Sequence, residues 1–378
     1  MRRIALLATV AVAAALCSTA GAAPVPKGPA LSWGANTYGQ LGLGFSGSGA
    51  TTPTKIGVGQ VRAVAAGQRH TLVVRKDGTV WAFGDNRDGE LGTGTTNPSA
   101  SPVQVSGLAN AVAVAAGWDH SLALRADGTV LAWGGDYDGQ LGDGATTTEL
   151  TPIQVTGLTN VVAIAAGGVQ SFALDRGGTL WSWGGNDWGQ LGDGTTTSHL
   201  TPEAVLTGVS AVSTGEAHTL AVRTDGSVWG WGGDFDYQLG YAPDPSDPHP
   251  ARLLPTPIAG VAGATGVAAG YDHSLALLGS GSVVAWGDNT YGQLGNGSFG
   301  GFSVTPAAVV GLRAINAIAA GNLHSLALGT NGHVYAWGSD GYGQLGDGAP
   351  DWAQALAVEL SPNGFSGIAA GEFHSIAF

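Results

Sequence analysis

Trp33-Gly34-Ala35-Asn36-Thr37-Tyr38-Gly39-Gln40-Leu41-Gly42 decides the fold, because the chain keeps returning to it. Near-copies run from Trp286 to Gly295 and from Trp337 to Gly346, and the motif or a close variant occurs seven times at intervals of about fifty residues. A second motif keeps step with it, written in full as Ala115-Ala116-Gly117-Trp118-Asp119-His120-Ser121. Its glycines are Gly67, Gly117, Gly167, Gly215, Gly270, Gly321 and Gly371, separated by 50, 50, 48, 55, 51 and 50 residues. That period in a chain of short strands predicts a circular array of β blades. The two motifs are out of phase at the ends: a Trp-Gly segment stands alone at the start, and Ala369-Ala370-Gly371 with His374 stands alone at the finish. Pairing these halves completes one more blade and removes open sheet edges. The expected fold is therefore all-β, a seven-bladed β-propeller over 31–378 closed by its N- and C-terminal segments in one blade.

The third repeat shows how a unit is built. Val112 to Ala116 alternates Val and Ala, as suits a strand near a crowded axis that admits only small side chains. Gly117-Trp118-Asp119 turns the chain, His120 to Leu124 alternates again, and Asp127-Gly128 is a hairpin signal. Thr129 to Trp133 reads as a third strand rich in β formers. Beyond the polar loop from Gly134 to Thr148, Thr151 to Val155 reads as an outer strand, where Pro152 is tolerated on an unpaired edge.

Two further positions repeat. One holds Trp33, Phe83, Trp133, Trp183, Trp231, Trp286 and Trp337; since every repeat carries it, it is expected to be core between blades and not an aromatic ligand box. The other holds His70, His120, His218, His273, His324 and His374, with Gln170 in the remaining slot. Blade symmetry spreads these side chains around a ring, and Gln can replace a His that only hydrogen-bonds. They are expected to bond backbone across a turn, not to ligate a metal.

Residues 1–22 stand apart. Met1-Arg2-Arg3, the apolar run from Ile4 to Cys17 and the small residues Ala20-Gly21-Ala22 have the order of a secretory signal peptide, followed by a short linker at 23–30. Secretion or a periplasmic location is expected, with no membrane attachment after cleavage. Cys17 is the only cysteine, so the exported chain would hold itself without disulfides, thiolate chemistry or Cys-ligated metal. The formal net charge is −13, from 27 acidic and 14 basic residues, which repels phosphate backbones and anionic lipid; nucleic-acid binding is not expected.

The paired signatures resemble those of the regulator of chromosome condensation repeat family, from Leu31 to Phe378. The resemblance implies seven blades of about fifty residues. It also implies, through the family's founder, a nuclear nucleotide-exchange factor that docks on chromatin. The export signal, the acidic charge and the lack of a basic tail disfavour that role here. More distantly the chain resembles the propeller-type β-lactamase inhibitory proteins, with longer blades.

Strand parity makes a separate prediction. The Gly-x-x-His turn follows a first strand and the Asn-x-x-Gly-Gln-Leu-Gly loop follows a third, so both should emerge on one face of the ring. That face gathers Tyr38, Trp118, Tyr137, Trp188, Phe235, Tyr237, Tyr271, Tyr291, Tyr342 and Phe373, interspersed with Asp88, Asp119, Asp138, Asp187, Asp236, Asp272 and Glu372. Unlike the Trp slot, these residues vary from blade to blade. Two readings stand: a protein-binding surface, or the ordinary chemistry of turns. The expected function is a monomeric, non-enzymatic scaffold for an as yet unidentified protein. The alternatives are an inhibitor of an extracellular or periplasmic enzyme such as a β-lactamase, or a polysaccharide-acting enzyme using rim carboxylates. Catalytic motifs with a zinc-helix, nucleophile-elbow or phosphate-loop spacing are absent, and no cofactor is expected. Asp136-Tyr137-Asp138-Gly139 with Asp143 misses the spacing of a calcium loop, so no metal is expected either. The longest insertion, Tyr241 to Pro257, is either a semi-rigid loop on the working face or drift in a tolerant one.

Overall fold

A computed structural model describes residues 29–241, 251–349 and 351–378. The expected signal segment and most of the Pro-rich insertion, 242–250, lie outside the described residues. Every regular element in the described chain is a strand, and the strands form seven four-stranded antiparallel sheets. Six sheets are built from consecutive strands and span 61–104, 111–154, 161–206, 209–257, 264–308 and 315–359; they are called blades one to six here. In blade two the strands are Ala111–Ala116, His120–Arg125, Val130–Gly134 and Glu149–Gln154, within a residue or two of the boundaries that alternation predicts.

Blade seven is made from both ends of the chain. Ile368–Ala370 and His374–Ala377 supply its two inner strands, while Leu31–Asn36 and Gly47–Lys55 supply the outer two. The seam is an antiparallel ladder that pairs Leu31 with Ala377, Trp33 with Ser375 and Gly34 with His374. Closure removes the open edges that a row of sheets would otherwise present.

The core lies in the clefts between blades. Each Trp of the repeated slot is fully buried, and Phe83 with it. The glycine ending the preceding blade's Gly-Gln-Leu-Gly run packs against the indole. Gly142 has φ +71°, and a Cβ there would come within 2.7 Å of Trp183 Nε1, so both backbone and neighbour require glycine. Small inner strands surround a channel of about 130 Å³ on the axis, lined by residues such as Ala65, Ala115, Ala165 and Ala369. This agrees with the Val-Ala alternation of the first strands.

The histidines take part in a network that the sequence showed only in part. Each donates toward a neighbouring blade's hydroxyl, not toward turn backbone: His70 Nε2 lies 3.0 Å from Ser121 Oγ, and His120 Nε2 lies 2.9 Å from Ser171 Oγ. The hydroxyl in turn donates a hydrogen bond to the backbone carbonyl of the preceding blade's Gln or Glu, as Ser121 Oγ does to Glu90 O at 2.9 Å; the Trp133 indole donates to the same carbonyl at 2.8 Å. The chain of contacts crosses the closing seam, since His374 Nε2 meets Thr71 Oγ1 at 2.9 Å. Gln170 does reach backbone, bonding Gly215 O and Glu216 O as well as Thr214 Oγ1. In all six histidines Nδ1 is buried without a partner, so protonation would strand a second N–H. Burial accordingly holds these side chains neutral, with pKa lowered to about 3 or 4.

Candidate functional site: one rim of the disc

One backbone bond per blade ties the turn after the first strand to the loop after the third. Asp85 N donates to Arg69 O, Gly135 N to Asp119 O, Gly185 N to Val169 O, Gly233 N to Ala217 O, Asp288 N to Asp272 O, Ser339 N to Leu323 O and Ala35 N to Phe373 O. Both sets of loops therefore share one rim, as strand parity predicts. All seventeen rim residues singled out in the sequence keep part of their surface open to solvent.

The rim is not uniform. From blade three to blade seven, aromatic rings meet across the seams between blades. Trp188 and Phe235 stack edge to face at 4.7 Å, Tyr237 lies 4.1 Å from Phe302, Tyr291 5.3 Å from Trp352, and Tyr342 4.9 Å from Phe373. Trp352 is the most open of these aromatics, at 61% exposure. Phe299, Phe302 and Trp352 belong to this arc yet escaped the sequence reading, because they sit in long loops and outer strands that have no fixed register.

Around blades seven, one and two the rim is charged instead. Arg69 and Arg87 stack on Tyr38, with guanidinium carbons 4.9 and 5.3 Å from the ring centroid. Arg87 also pairs with Asp85, and Arg69 approaches Glu372 at 3.9 Å. The Tyr137 hydroxyl donates to Asp88 at 2.5 Å across the seam between blades one and two. Trp118 stands at the channel mouth with Gln68, Glu216, Asn322 and Glu372.

Burial, and then crowding, raises six carboxyls of this rim. Burial and then Asp236 push Asp272 to about 7. Asp119, Asp138, Glu216, Asp236 and Glu372 also rise, burial leading in each case. The Tyr271 phenol rises too, held by its bond to Glu216. Asp187 stays open beside Asp138 and adds to its repulsion. Such a surface gains from the approach of positive charge.

The model for the regulator of chromosome condensation (RCC1) repeat matches residues 27–74, 77–124, 127–174, 177–222, 225–277, 280–328 and 331–378. The chain belongs to this family. Each internal RCC1 repeat straddles two blades, taking the outer two strands of one and the inner two of the next, so the repeat boundary and the blade boundary differ by half a unit. Human WBSCR16 superposes with a TM-score of 0.83 at 25% identity, covering 93% of this chain and 99% of that one. Prp20p of Saccharomyces cerevisiae, described with its binding properties to Gsp1p and histones, gives 0.83 at 23% identity over 92% and 90%. The probable E3 ubiquitin-protein ligase HERC6 of Homo sapiens is 38% identical over 135 residues, 34% of this chain but 13% of that protein. The chain thus spans only a small part of the length of this curated relative.

Proposed function

We propose that the protein is a non-enzymatic propeller scaffold that binds another protein through the aromatic and acidic rim. The observation that carries this is the arc of ring pairs across blade seams, from Trp188–Phe235 to Tyr342–Phe373. Aromatic anchors paired across the rim loops, beside carboxyls raised by burial and then by their neighbours, suit a partner with a basic patch around apolar knobs. The likeness to Prp20p carries the fold, and it fits the general use of such discs as platforms for other proteins. No partner is taken over from it.

The test compares two sets of substitutions on the immobilised chain. Trp188→Ala, Phe235→Ala and Tyr342→Ala together should abolish retention of a captured protein and leave thermal unfolding little changed. Arg125→Ala with Arg176→Ala, where the second strands of their blades end on the opposite rim, should retain it. Equal capture by both sets would refute the assignment of the rim. The order of residues 1–22 supports an extracytoplasmic location; protein recovered outside the cytoplasm should begin at Ala23 on N-terminal sequencing.

A further inference from the structure

Six blades place a glutamine at one position of the rim loop, namely Gln40, Gln140, Gln190, Gln238, Gln293 and Gln344. Blade one places Glu90 there. The side-chain oxygen of this residue accepts the amide two positions earlier, as Gln140 Oε1 does from Asp138 N at 2.9 Å; Glu90 keeps that bond through Oε2, from Asp88 N at 3.0 Å. The difference lies in the other terminal atom. In blade four it is an amide nitrogen, and Gln238 Nε2 donates to Asp272 Oδ1, on the turn of the next blade, at 2.9 Å. In blade one the corresponding atom is Glu90 Oε1, and the residue corresponding to Asp272 is Asp119. A donor facing an acceptor has become two carboxylates facing each other.

Asp88 adds a third. Oxygens of Asp88, Glu90 and Asp119 lie within 4.8 Å of one another. Glu90 is only 2% exposed, and no donor among the described residues meets its Oε1. The nearby cations are engaged elsewhere: Arg87 with Asp85, Arg69 over Tyr38 and beside Glu372. A largely buried carboxylate facing other carboxylates is offset either by a proton or by a cation between them.

We propose that Asp88, Glu90 and Asp119 hold a divalent cation at the seam between blades one and two. The donors are all carboxylate oxygens, which suits a hard ion of the calcium type. The ion would clasp the rim loops of two blades at the seam where Tyr137 already reaches Asp88.

The test uses the whole chain stripped with a chelator, with calcium and magnesium chloride each titrated by calorimetry and by thermal unfolding. The expected result is saturable binding of one calcium ion per chain and a rise in Tm. Glu90→Gln restores the amide of the sister blades, so it should fold normally and lose both the heat and the rise. Asp119→Asn, which keeps the side-chain shape, should weaken both. Absence of a calcium response in the wild-type chain overturns the proposal, as does an equal response in Glu90→Gln. A wild-type chain whose stability falls as pH rises and ignores calcium would mean that a shared proton does this work, which also overturns it.

Discussion

At the scale of single residues, position in the ring decides chemistry that residue type leaves open. The rim-loop slot ahead of Gly-Gln-Leu-Gly holds Asn36, Asn86, Asn186 and Asn289, but Asp136, Asp234 and Asp340 in the other blades. All seven accept the Leu amide five residues on, as Asp136 Oδ1 does from Leu141 N at 2.8 Å. The asparagines also donate to loop carbonyls, Asn186 Nδ2 to Thr195 O and Thr197 O at 3.1 Å. Asp136 and Asp340 cannot do so when ionised, and their Oδ2 atoms are buried without partners. Burial pushes both to about 7, against an ordinary value of 3.8. A carboxyl raised on folding favours the native state below its unfolded pKa, and that stabilisation is lost as pH rises through the folded value. The histidines act the other way: lowered from 6.5, they stabilise above that pH and cost stability as pH falls through about 3 to 4. Between pH 6.5 and 8.5 the carboxylates dominate, so the urea midpoint should fall across that interval. Asp136→Asn with Asp340→Asn should flatten the fall, since the amides supply the missing donors; an unchanged slope would count against neutral carboxyls.

At the scale of the element, each blade is bound to the next by one buried aromatic, an indole in six seams and Phe83 in the seventh, and one glycine. Trp183 is fully buried and donates to Gln140 O at 2.9 Å. Trp183→Ala should cost about 3–5 kcal/mol in chemical denaturation, from lost packing and a cavity. Gly142→Ala should cost about 1–3 kcal/mol, because a left-handed backbone is strained by any side chain and the new Cβ meets that indole. A substitution at Gly157, where φ is +77° but a Cβ meets nothing within 4 Å, should cost less; equal losses would show that only backbone strain matters.

At the scale of the molecule, closure is the sensitive feature. The ladder from Leu31 to Gly34 against His374 to Ala377 joins segments more than three hundred residues apart. Removing 29–56 would expose the His374–Ala377 edge and strip Trp33 from its place against Gly346. Such a chain should lose its single cooperative unfolding transition and elute as larger species in size-exclusion chromatography, since an uncovered strand pairs with another chain. A monomer that unfolds as sharply as the intact chain would show that the shared blade is dispensable.

The seven blades, their strand order, the buried Trp slot and the common rim of two loop families were legible in the residues, because they follow from period, alternation and parity, which are local rules repeated seven times. What stayed hidden depends on side chains meeting across seams. The histidine-to-hydroxyl bonds join residues about fifty positions apart, so no single repeat displays them. Glu90 was visible as the odd letter in a column of glutamines, but its meaning came only with Asp119 brought opposite it by the next blade. The same holds for the split rim, aromatic on one arc and charged on the other. Sequence alone determined the ring, since a repeat specifies its own strands and contacts; tertiary structure decided the character of each seam, because a seam belongs to two repeats and its energetics arise from their differences.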